Sequence, residues 1–419
     1  MQALARTIGL GFLALCLLAV ALKLLVPLPG PLGYAPLDPG LGPRLAPLDL
    51  VIWYGTEKRV WLEEAARRFE ARGESVGGRP IRVRLVGMGS REIADRVARQ
   101  DWDEAPRPTV VSPASSLWTE MLTSEWAARH GGAIIADAPA PLVLTPLVAV
   151  AWEERARVLW PRGVQDFWGD LHAAVVAEGG WAAVAAANGL GPDTPEGQRA
   201  ARWGLVKLGH TSPLSSNSGA QALLLMAYAY HEKTAGLTVA DVQDPGFLSW
   251  LGDIQRGVYD VGESTGTFMS NMVQFGPSRY DLVLVYENLA IENIAAAERR
   301  WNQPLRVYYP PATLFSDHPY AILGEPLTSR DEREAAARFR DFLLQRPQQE
   351  LALRSGFRPI DPRITLSGAD ATNPFPGAAA YGISIDVPAQ VETPPGEVIA
   401  ALITAWDQQI RPLIPSGGQ

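Results

Sequence analysis

An apolar segment, a short polar turn and an amphipathic helix follow one another repeatedly in this chain, and this order constrains the fold more than any other feature of the sequence. In the first unit, residues 48–54 are mostly apolar, and Trp61, Ala65 and Phe69 then recur every four residues on one face of a helix. A similar unit begins at residue 81. Alternating strands and helices predict an α/β fold with a parallel, doubly wound sheet.

The length of 419 residues exceeds one typical core, so we expect more than one folded unit. The apolar run 142–152 contains Pro146, which suits a strand that leaves one sheet and enters another better than a central strand. A second set of α/β units follows, and the chain then returns towards the first. We therefore predict a discontinuous first lobe, 48–145 and 312–415, and a second lobe, 146–311.

Residues 1–28 predict export. An apolar run begins at Ile8, is interrupted only by Lys23, and is long enough to cross about 30 Å of hydrocarbon. The small residues 19–21 would suit cleavage of a signal peptide, whereas the continuing apolar run favours an uncleaved membrane anchor. Residues 29–47, rich in proline and glycine, predict an extended tether. We expect the protein at the outer face of the cytoplasmic membrane, either anchored there or secreted or periplasmic.

Composition argues against several classes of protein. The net charge of −8 and the lack of a basic stripe disfavour nucleic acid as a partner. Cys16 is the only cysteine and the five histidines are scattered, so we predict no metal site and no cofactor. The chain contains no GxSxG elbow, no GxxxxGK[ST] loop and no GxGxxG after a strand. We therefore expect a binding protein and not an enzyme.

Four predicted strand-to-helix loops are rich in Gly, Ser, Thr or Asn: 55–56, 87–90 with Ser90 at an N-cap, 112–116, and 209–218 between a strand at 204–208 and a helix from Gly219. In open α/β sheets such loops lie at the carboxyl ends of the strands, where ligands bind. Helix N-termini there offer unpaired N–H groups and a partial positive charge. Simple N-capping explains any one of these loops, but the four together predict a binding site.

A family resemblance rests on four segments: 209–219, 286–288, 309–311 with 316–320, and 342–359, the last ending in Gly-Phe-Arg-Pro after a long helix. These segments resemble bacterial extracellular solute-binding proteins, in particular the type II group related to molybdate and sulfate binders, over roughly 48–415. The resemblance implies a two-lobed type II periplasmic-binding-protein fold with two hinge crossovers and a ligand buried in the cleft. It also implies delivery of a small polar ligand, such as an oxyanion or a sugar, to an ABC-type importer through its permease.

The resemblance places ligand contacts at the strand ends and helix starts around the cleft. Hydroxyl and amide groups of that kind lie in this sequence at Thr56, Ser90, Ser115, Ser216, Asn217 and Ser218. The same loops and strand ends add five further candidates: Glu57, Gly89, Ser215, Tyr286 and Glu287.

The two carboxylates among these candidates conflict with an oxyanion ligand, because like charges repel strongly in a poorly screened site. If Glu287 faces the cleft, a sugar, polyol, amine or metal-bearing ligand suits it better. If it pairs with an Arg or Lys, an anion remains possible. The tryptophans, including Trp53 and Trp118, are interpreted mainly as packing residues. Two other functions stay open, a membrane-tethered sensing or adhesion module without a permease and, less favoured, a cleft hydrolase.

Overall fold

The structure is a computed structural model of the chain and describes residues 17–18, 45–368, 370–387 and 389–414. The predicted segment 1–28, apart from 17–18, and residues 29–44 of the predicted tether lie outside the described residues. Among the described residues, no helix is both long enough and apolar enough to cross a bilayer.

The strands lie in two large mixed sheets and one small one. In chain order they are Leu48–Gly55 (β1), Ser75–Val76 (β2), Arg79–Met88 (β3), Val110–Ser112 (β4), Ala140–Pro141 (β5), Val143–Trp152 (β6), Leu208–Thr211 (β7), Val258–Gly262 (β8), Leu282–Tyr286 (β9), Leu305–Tyr308 (β10), Ala312–Thr313 (β11), Phe315–Ser316 (β12), Pro319–Ile322 (β13), Arg358–Pro359 (β14) and Ala389–Gln390 (β15).

The helices cover both sheets. They are Arg59–Glu70 (α1), Ser90–Arg99 (α2), Ser116–His130 (α3), Glu153–Leu159 (α4), Phe167–Val176 (α5), Trp181–Ala187 (α6), Pro195–Ala200 (α7), Asn217–Tyr230 (α8), Val239–Val242 (α9), Pro245–Gln255 (α10), Thr265–Phe275 (α11), Glu287–Trp301 (α12), Arg330–Leu343 (α13), Arg346–Arg354 (α14), Pro374–Ala378 (α15) and Gly396–Ala405 (α16).

The two large sheets define two lobes. Lobe 1 is built on the sheet β2-β3-β1-β4-β13-β5, and lobe 2 on the sheet β10-β6-β9-β7-β8. Pairing is parallel within β3-β1-β4 and within β9-β7-β8, where helices connect the strands. The remaining pairs are antiparallel, so the expectation of purely parallel sheets is wrong. The reason is that β6 and β13 enter from the other lobe without the helical crossover that a parallel pair requires.

The chain passes between the lobes at two places. It leaves lobe 1 at β5 and enters lobe 2 directly at β6, and it returns from β10 through β11 and β12 to β13. Pro146 pairs with Phe315 of β12, and the pairing of β6 with β9 starts at the next residue, Leu147. Pro146 therefore lies where β6 changes its pairing partner. At that position no backbone N–H is needed for a hydrogen bond to a neighbouring strand.

Burial explains why these segments form these elements. In β1 every residue except Asp49 is buried, which is typical of a strand covered by helices on both faces. Trp61, Ala65 and Phe69 are buried on α1 as their spacing predicts. Helix α13 begins with a capping box in which Ser329 Oγ accepts from the backbone N–H of Glu332.

One predicted strand of lobe 2 was misplaced. The strand expected at 204–208 lies at 208–211, and helix α8 begins at Asn217, two residues before the predicted Gly219. Glycine and histidine are poor strand formers, but a Cβ on Gly209 would lie 2.6 Å from the Phe268 ring, so packing requires glycine there. His210 is buried, with Nε2 2.8 Å from Gln255 Oε1. Tertiary packing thus overrides local propensity.

The C-terminal segment packs on lobe 2. Helix α16 contacts α8 and α9, and the Trp406 indole N–H donates to Gln255 Oε1 at 3.0 Å. These contacts differ from the predicted placement of the whole of 312–415 in the first lobe. The predicted lobe boundaries stay a prediction and are taken up again below.

Candidate ligand-binding site between the lobes

The predicted polar turns of the two lobes meet at one interface. Thr56 Oγ1, at the end of β1, accepts a hydrogen bond from the backbone N–H of Gly266 on α11, at 3.1 Å. The carbonyl of Ser215 accepts from the backbone N–H groups of Arg91 and Glu92, at 2.9 and 3.2 Å. Residues far apart in the sequence therefore form direct contacts across the lobe boundary.

The turn before α2 approaches lobe 2 so closely that it has no room for a side chain. A Cβ on Gly89 would lie 2.3 Å from the Ser215 carbonyl oxygen. Gly89, and not Ser90, is the N-cap of α2, so the predicted capping role of Ser90 is wrong. Ser90 Oγ instead accepts from the backbone N–H of Ala114 at 2.9 Å and joins two turns of lobe 1. Ser115 caps α3, its Oγ accepting from the Leu117 N–H.

Lobe 2 contributes a cluster of buried hydroxyl groups. Ser218 Oγ lies 2.7 Å from Thr211 Oγ1 and 2.8 Å from Thr265 Oγ1, and Ser216 Oγ lies 3.1 Å from the same Thr265 atom. Thr265, the first residue of α11, was not among the predicted site residues. A signal for it was available, because Ser264 and Thr265 follow the strand β8 as the other polar turns follow theirs.

Asn217 bridges the lobes and uses its whole side chain to do so. Its Oδ1 accepts from the indole N–H of Trp118 on α3 at 2.7 Å. Its Nδ2 donates to the Tyr286 hydroxyl at 2.7 Å and to Ser316 Oγ at 3.0 Å. Burial raises the pKa of Tyr286, so its hydroxyl stays protonated. Trp118, interpreted as a packing residue, thus belongs to the site, whereas Trp53 donates to the Pro106 carbonyl inside lobe 1.

Glu287 follows the second of the two alternatives that the sequence left open, because it pairs with a cation. Its two oxygens each lie 2.7 Å from a nitrogen of the Arg358 guanidinium, and the Tyr309 hydroxyl also donates to it. The carboxylate is fully buried. Such a bidentate, charge-assisted pair fixes the carboxylate and neutralises it.

Glu57 is also neutralised, by the lysine that follows it. Glu57 Oε1 lies 2.7 Å from Lys58 Nζ, and Nζ also donates to the Pro113 carbonyl at 3.2 Å. His318 Nδ1 lies 3.2 Å from Nζ and 3.3 Å from Glu57 Oε1. All three charged or titratable side chains are buried.

The titration of these groups follows from their contacts. Burial raises the pKa of Glu57, but attraction to Lys58 and contacts with His318 outweigh it and bring the pKa down to about 2. Burial, followed by repulsion from Lys58, lowers the pKa of His318 to about 4. At neutral pH the site therefore holds a Glu57–Lys58 ion pair beside a neutral imidazole.

Several helices begin at this interface. They are α2 and α3 of lobe 1 and α8, α11 and α12 of lobe 2, and each directs its partial positive charge towards the lobe boundary. A cavity of about 560 Å³ opens beside the Ser215 turn, within the size range of small-molecule sites. Its lining includes Glu92, Ser212, Ser215, Glu263, Trp406 and Arg411.

Two lobes joined by two chain passages, with polar turns and helix N-termini at their boundary, define a two-lobed α/β binding protein. Residues 50–358 match the family of bacterial extracellular solute-binding proteins, and the chain belongs to that family. No significant match among curated proteins was found. The chain is thus an extracellular solute-binding protein whose function is ligand capture.

Solved structures with similar folds include a periplasmic thiamin-binding protein, which is 14% identical with a TM-score of 0.56 over 91% of this chain and 100% of the other. The periplasmic binding protein AfuA from Actinobacillus pleuropneumoniae, bound to fructose-6-phosphate, is 15% identical with a TM-score of 0.54, over 87% and 99%. The ferric binding protein from Campylobacter jejuni is 10% identical with a TM-score of 0.51, over 87% and 99%. These similarities confirm the two-lobed periplasmic-binding-protein fold.

Proposed function

We propose that this protein captures a small polar ligand between its lobes and delivers it to an ABC-type importer at the outer face of the cytoplasmic membrane. The observation that supports this proposal most is the direct hydrogen bonding of Ser215 and Asn217 with Arg91, Glu92 and Trp118 across the lobe boundary. Groups that satisfy each other when the lobes touch become free donors and acceptors when the lobes part, and a ligand can then use them.

We assign ligand contact to six residues of the turns at the lobe boundary: Thr56, Gly89, Ser90, Ser215, Ser216 and Ser218. The backbone N–H groups at the start of α2 bind the Ser215 carbonyl, so they can bind a ligand oxygen in the same way. Ser115 caps α3, and Glu57, Tyr286 and Glu287 hold the frame. Asn217 bridges the lobes and becomes available to the ligand when they part. Because both carboxylates are paired, an oxyanion is compatible with the site, as is a neutral polyol.

We further propose the lobe division that the contacts support. Residues 48–145 and 312–359 form lobe 1, and 146–311 with the described part of 360–414 form lobe 2, because Tyr381 and Glu392 bond to lobe 2. The passages at 141–143 and 308–319 act as hinges of a type II binding protein. Residues 1–28 anchor or export the chain and 29–47 tether it. We propose binding without catalysis, because the charged groups at the site are held in ion pairs.

Thermal unfolding against a panel of sulfate, molybdate, glucose, thiamin and fructose-6-phosphate tests the binding proposal. A ligand that binds only the folded state raises the melting temperature according to RT ln(1 + [L]/Kd). We expect at least one solute to do so, and expect the double substitution Ser216→Ala and Ser218→Ala to abolish the rise while the circular dichroism spectrum is unchanged. Ser278→Ala, an exposed serine of lobe 2, is the matched control. An undiminished rise in the double variant would show that the pocket lies elsewhere.

Reconstitution with the permease tests delivery. Solute uptake into vesicles that requires both proteins supports the importer role. Solute binding without uptake through any permease encoded beside this protein would contradict the importer role. It would not contradict the proposed binding site.

A further inference from the structure

A small second cavity lies between the lobes, on the far side of the Thr56 turn from Ser215. Its volume is about 90 Å³, enough for a few water molecules. Lobe 1 lines it with Thr56, Glu57, Arg59 and Val60, and lobe 2 with residues of α11 and α12. The two walls are in close contact, because a Cβ on Gly266 would lie 2.6 Å from the Thr56 carbonyl oxygen. Both lobes line the cavity, so parting of the lobes would open it.

Glu292 of α12 places an unsatisfied carboxyl group in this cavity. Its Oε1 is buried and has no hydrogen-bond partner among the residues that the structure describes, while the residue as a whole is partly buried. Among those same residues it forms no ion pair. An ionised carboxylate in such a position loses hydration without compensation, so the protonated form is favoured. Burial accordingly raises the pKa of Glu292 from 4.5 to about 8.

The neighbouring charges do not relieve this penalty. From lobe 1, Glu57 faces the cavity but is paired with Lys58, and Arg59 lines it without an ion pair to Glu292. From α11, Thr267 and Ser270 present only hydroxyl groups.

The other acidic residues of α12 act elsewhere. Glu287 is bound to Arg358, and Glu298 is exposed and accepts from Tyr381. Helix α15, which packs on α12, carries no titratable residue, and Arg306 of β10 pairs with Glu153.

We propose that Glu292 takes up a proton when the lobes close, so that closure, and with it ligand affinity, weakens as the pH rises. The inference rests on the proposed function, since it requires the two lobes to move apart. Opening separates the cavity walls and hydrates the carboxyl group, which then ionises near its ordinary pKa. The pKa of Glu292 is higher in the closed form, so protonation favours closure. The equilibrium constant for closure is therefore highest below about pH 4.5. It falls by up to about tenfold per pH unit until about pH 8.

Single-molecule energy transfer on the full chain in detergent tests this inference. Dyes insensitive to pH are attached at Arg67→Cys in lobe 1 and Leu205→Cys in lobe 2, both exposed, with Cys16→Ser to remove the native thiol. We expect the closed fraction to fall between pH 5 and 8.5 in this background. With Glu292→Gln added the fraction stays constant, because the amide has the same shape and no titration. Glu298→Gln, the same change at an exposed position of the same helix, keeps the parent profile.

The outcomes separate the inference from the proposed function. If open and closed forms are both present but their ratio does not change with pH, the proposed proton uptake is wrong. Ligand capture by lobe closure is then not contradicted. Two states whose ratio changes equally with pH in the parent and in Glu292→Gln would assign the titration to another group and also overturn it. One unchanging distance at every pH, with and without the panel solutes, would contradict closure itself. If Glu292→Gln unfolds at pH 5 by circular dichroism, Glu292→Ala, which also has no titratable group, replaces it, and a pH-independent parent remains decisive.

Discussion

The two lobes hold their sides of the site by different means. Lobe 1 uses a buried ion pair, Glu57 with Lys58, beside the imidazole of His318. Lobe 2 contributes Glu287 to an ion pair with Arg358 but presents mainly neutral groups, the hydroxyls of its serine and threonine cluster and the amide of Asn217. A charged network in a buried site is costly to break and responds to pH, whereas hydroxyl groups rotate to suit a new partner. The difference indicates that lobe 1 forms the fixed side and lobe 2 the adaptable side of the site.

The largest expected effect is at the ion pair of lobe 1. Lys58→Met leaves the Glu57 carboxyl group buried without a cation, and we expect the free energy of unfolding to fall by about 3–5 kcal/mol. Denaturation by urea measures it. Arg82→Met removes the cation of an exposed pair with Asp49 and should cost far less. Equal losses in the two variants would show that burial does not decide the strength of this network.

Acid should weaken lobe 1 through the same network. The pKa of His318 is about 4 in the folded chain and 6.5 when unfolded, so the unfolded state binds the proton more tightly. The resulting stability is complete above about pH 6.5 and is lost as the pH falls towards 4, by about 3 kcal/mol. Glu57 adds a loss at lower pH, between about 4.5 and 2.

Unfolding free energies measured at pH 7, 6, 5 and 4 test this dependence. His318→Gln should flatten the profile in part, because burial also lowers the pKa of His210 in lobe 2 and that contribution stays. His130→Gln, an exposed histidine on α3, serves as the control. A profile for His318→Gln as steep as that of the parent would assign the acid sensitivity to another group.

A smaller loss of free energy is expected from a substitution among the neutral groups of lobe 2. Asn217→Ala leaves the Trp118 indole without an acceptor and removes the bonds to Tyr286 and Ser316, which should cost about 1–3 kcal/mol. We expect the loss to appear mainly in lobe closure, measured by the same energy-transfer pair. Asn188→Ala breaks hydrogen bonds inside lobe 2 and should leave closure unchanged. A closed fraction that does not respond to Asn217→Ala would remove the bridging role.

The sequence predicted the elements that depend on local pattern and missed those that depend on distant contacts. The spacing of Trp61, Ala65 and Phe69 gave α1, and the polar turns at 55–56 and 87–90 correctly marked strand ends. The strand at Leu208–Thr211 was misplaced because glycine is required at Gly209 by the ring of Phe268, which lies 59 positions further along the chain in another element.

The partners of the site residues were harder to predict for the same reason. Nothing in the sequence around Glu287 indicates that Arg358 will neutralise it, and Trp118 gives no local sign that it will bind Asn217. Lys58 is the exception, since it directly follows Glu57. Residue types and strand ends predict where a site lies, whereas the pairing of its charges follows only from the assembled fold.

The central claim is that two lobes swing together around a ligand. Small-angle X-ray scattering of the full chain, with and without a solute that raises its melting temperature, tests it most directly. The account predicts a smaller radius of gyration in the bound protein, and no such decrease once Ser216→Ala and Ser218→Ala abolish binding. A radius of gyration that stays the same in a solute-saturated parent protein would contradict it.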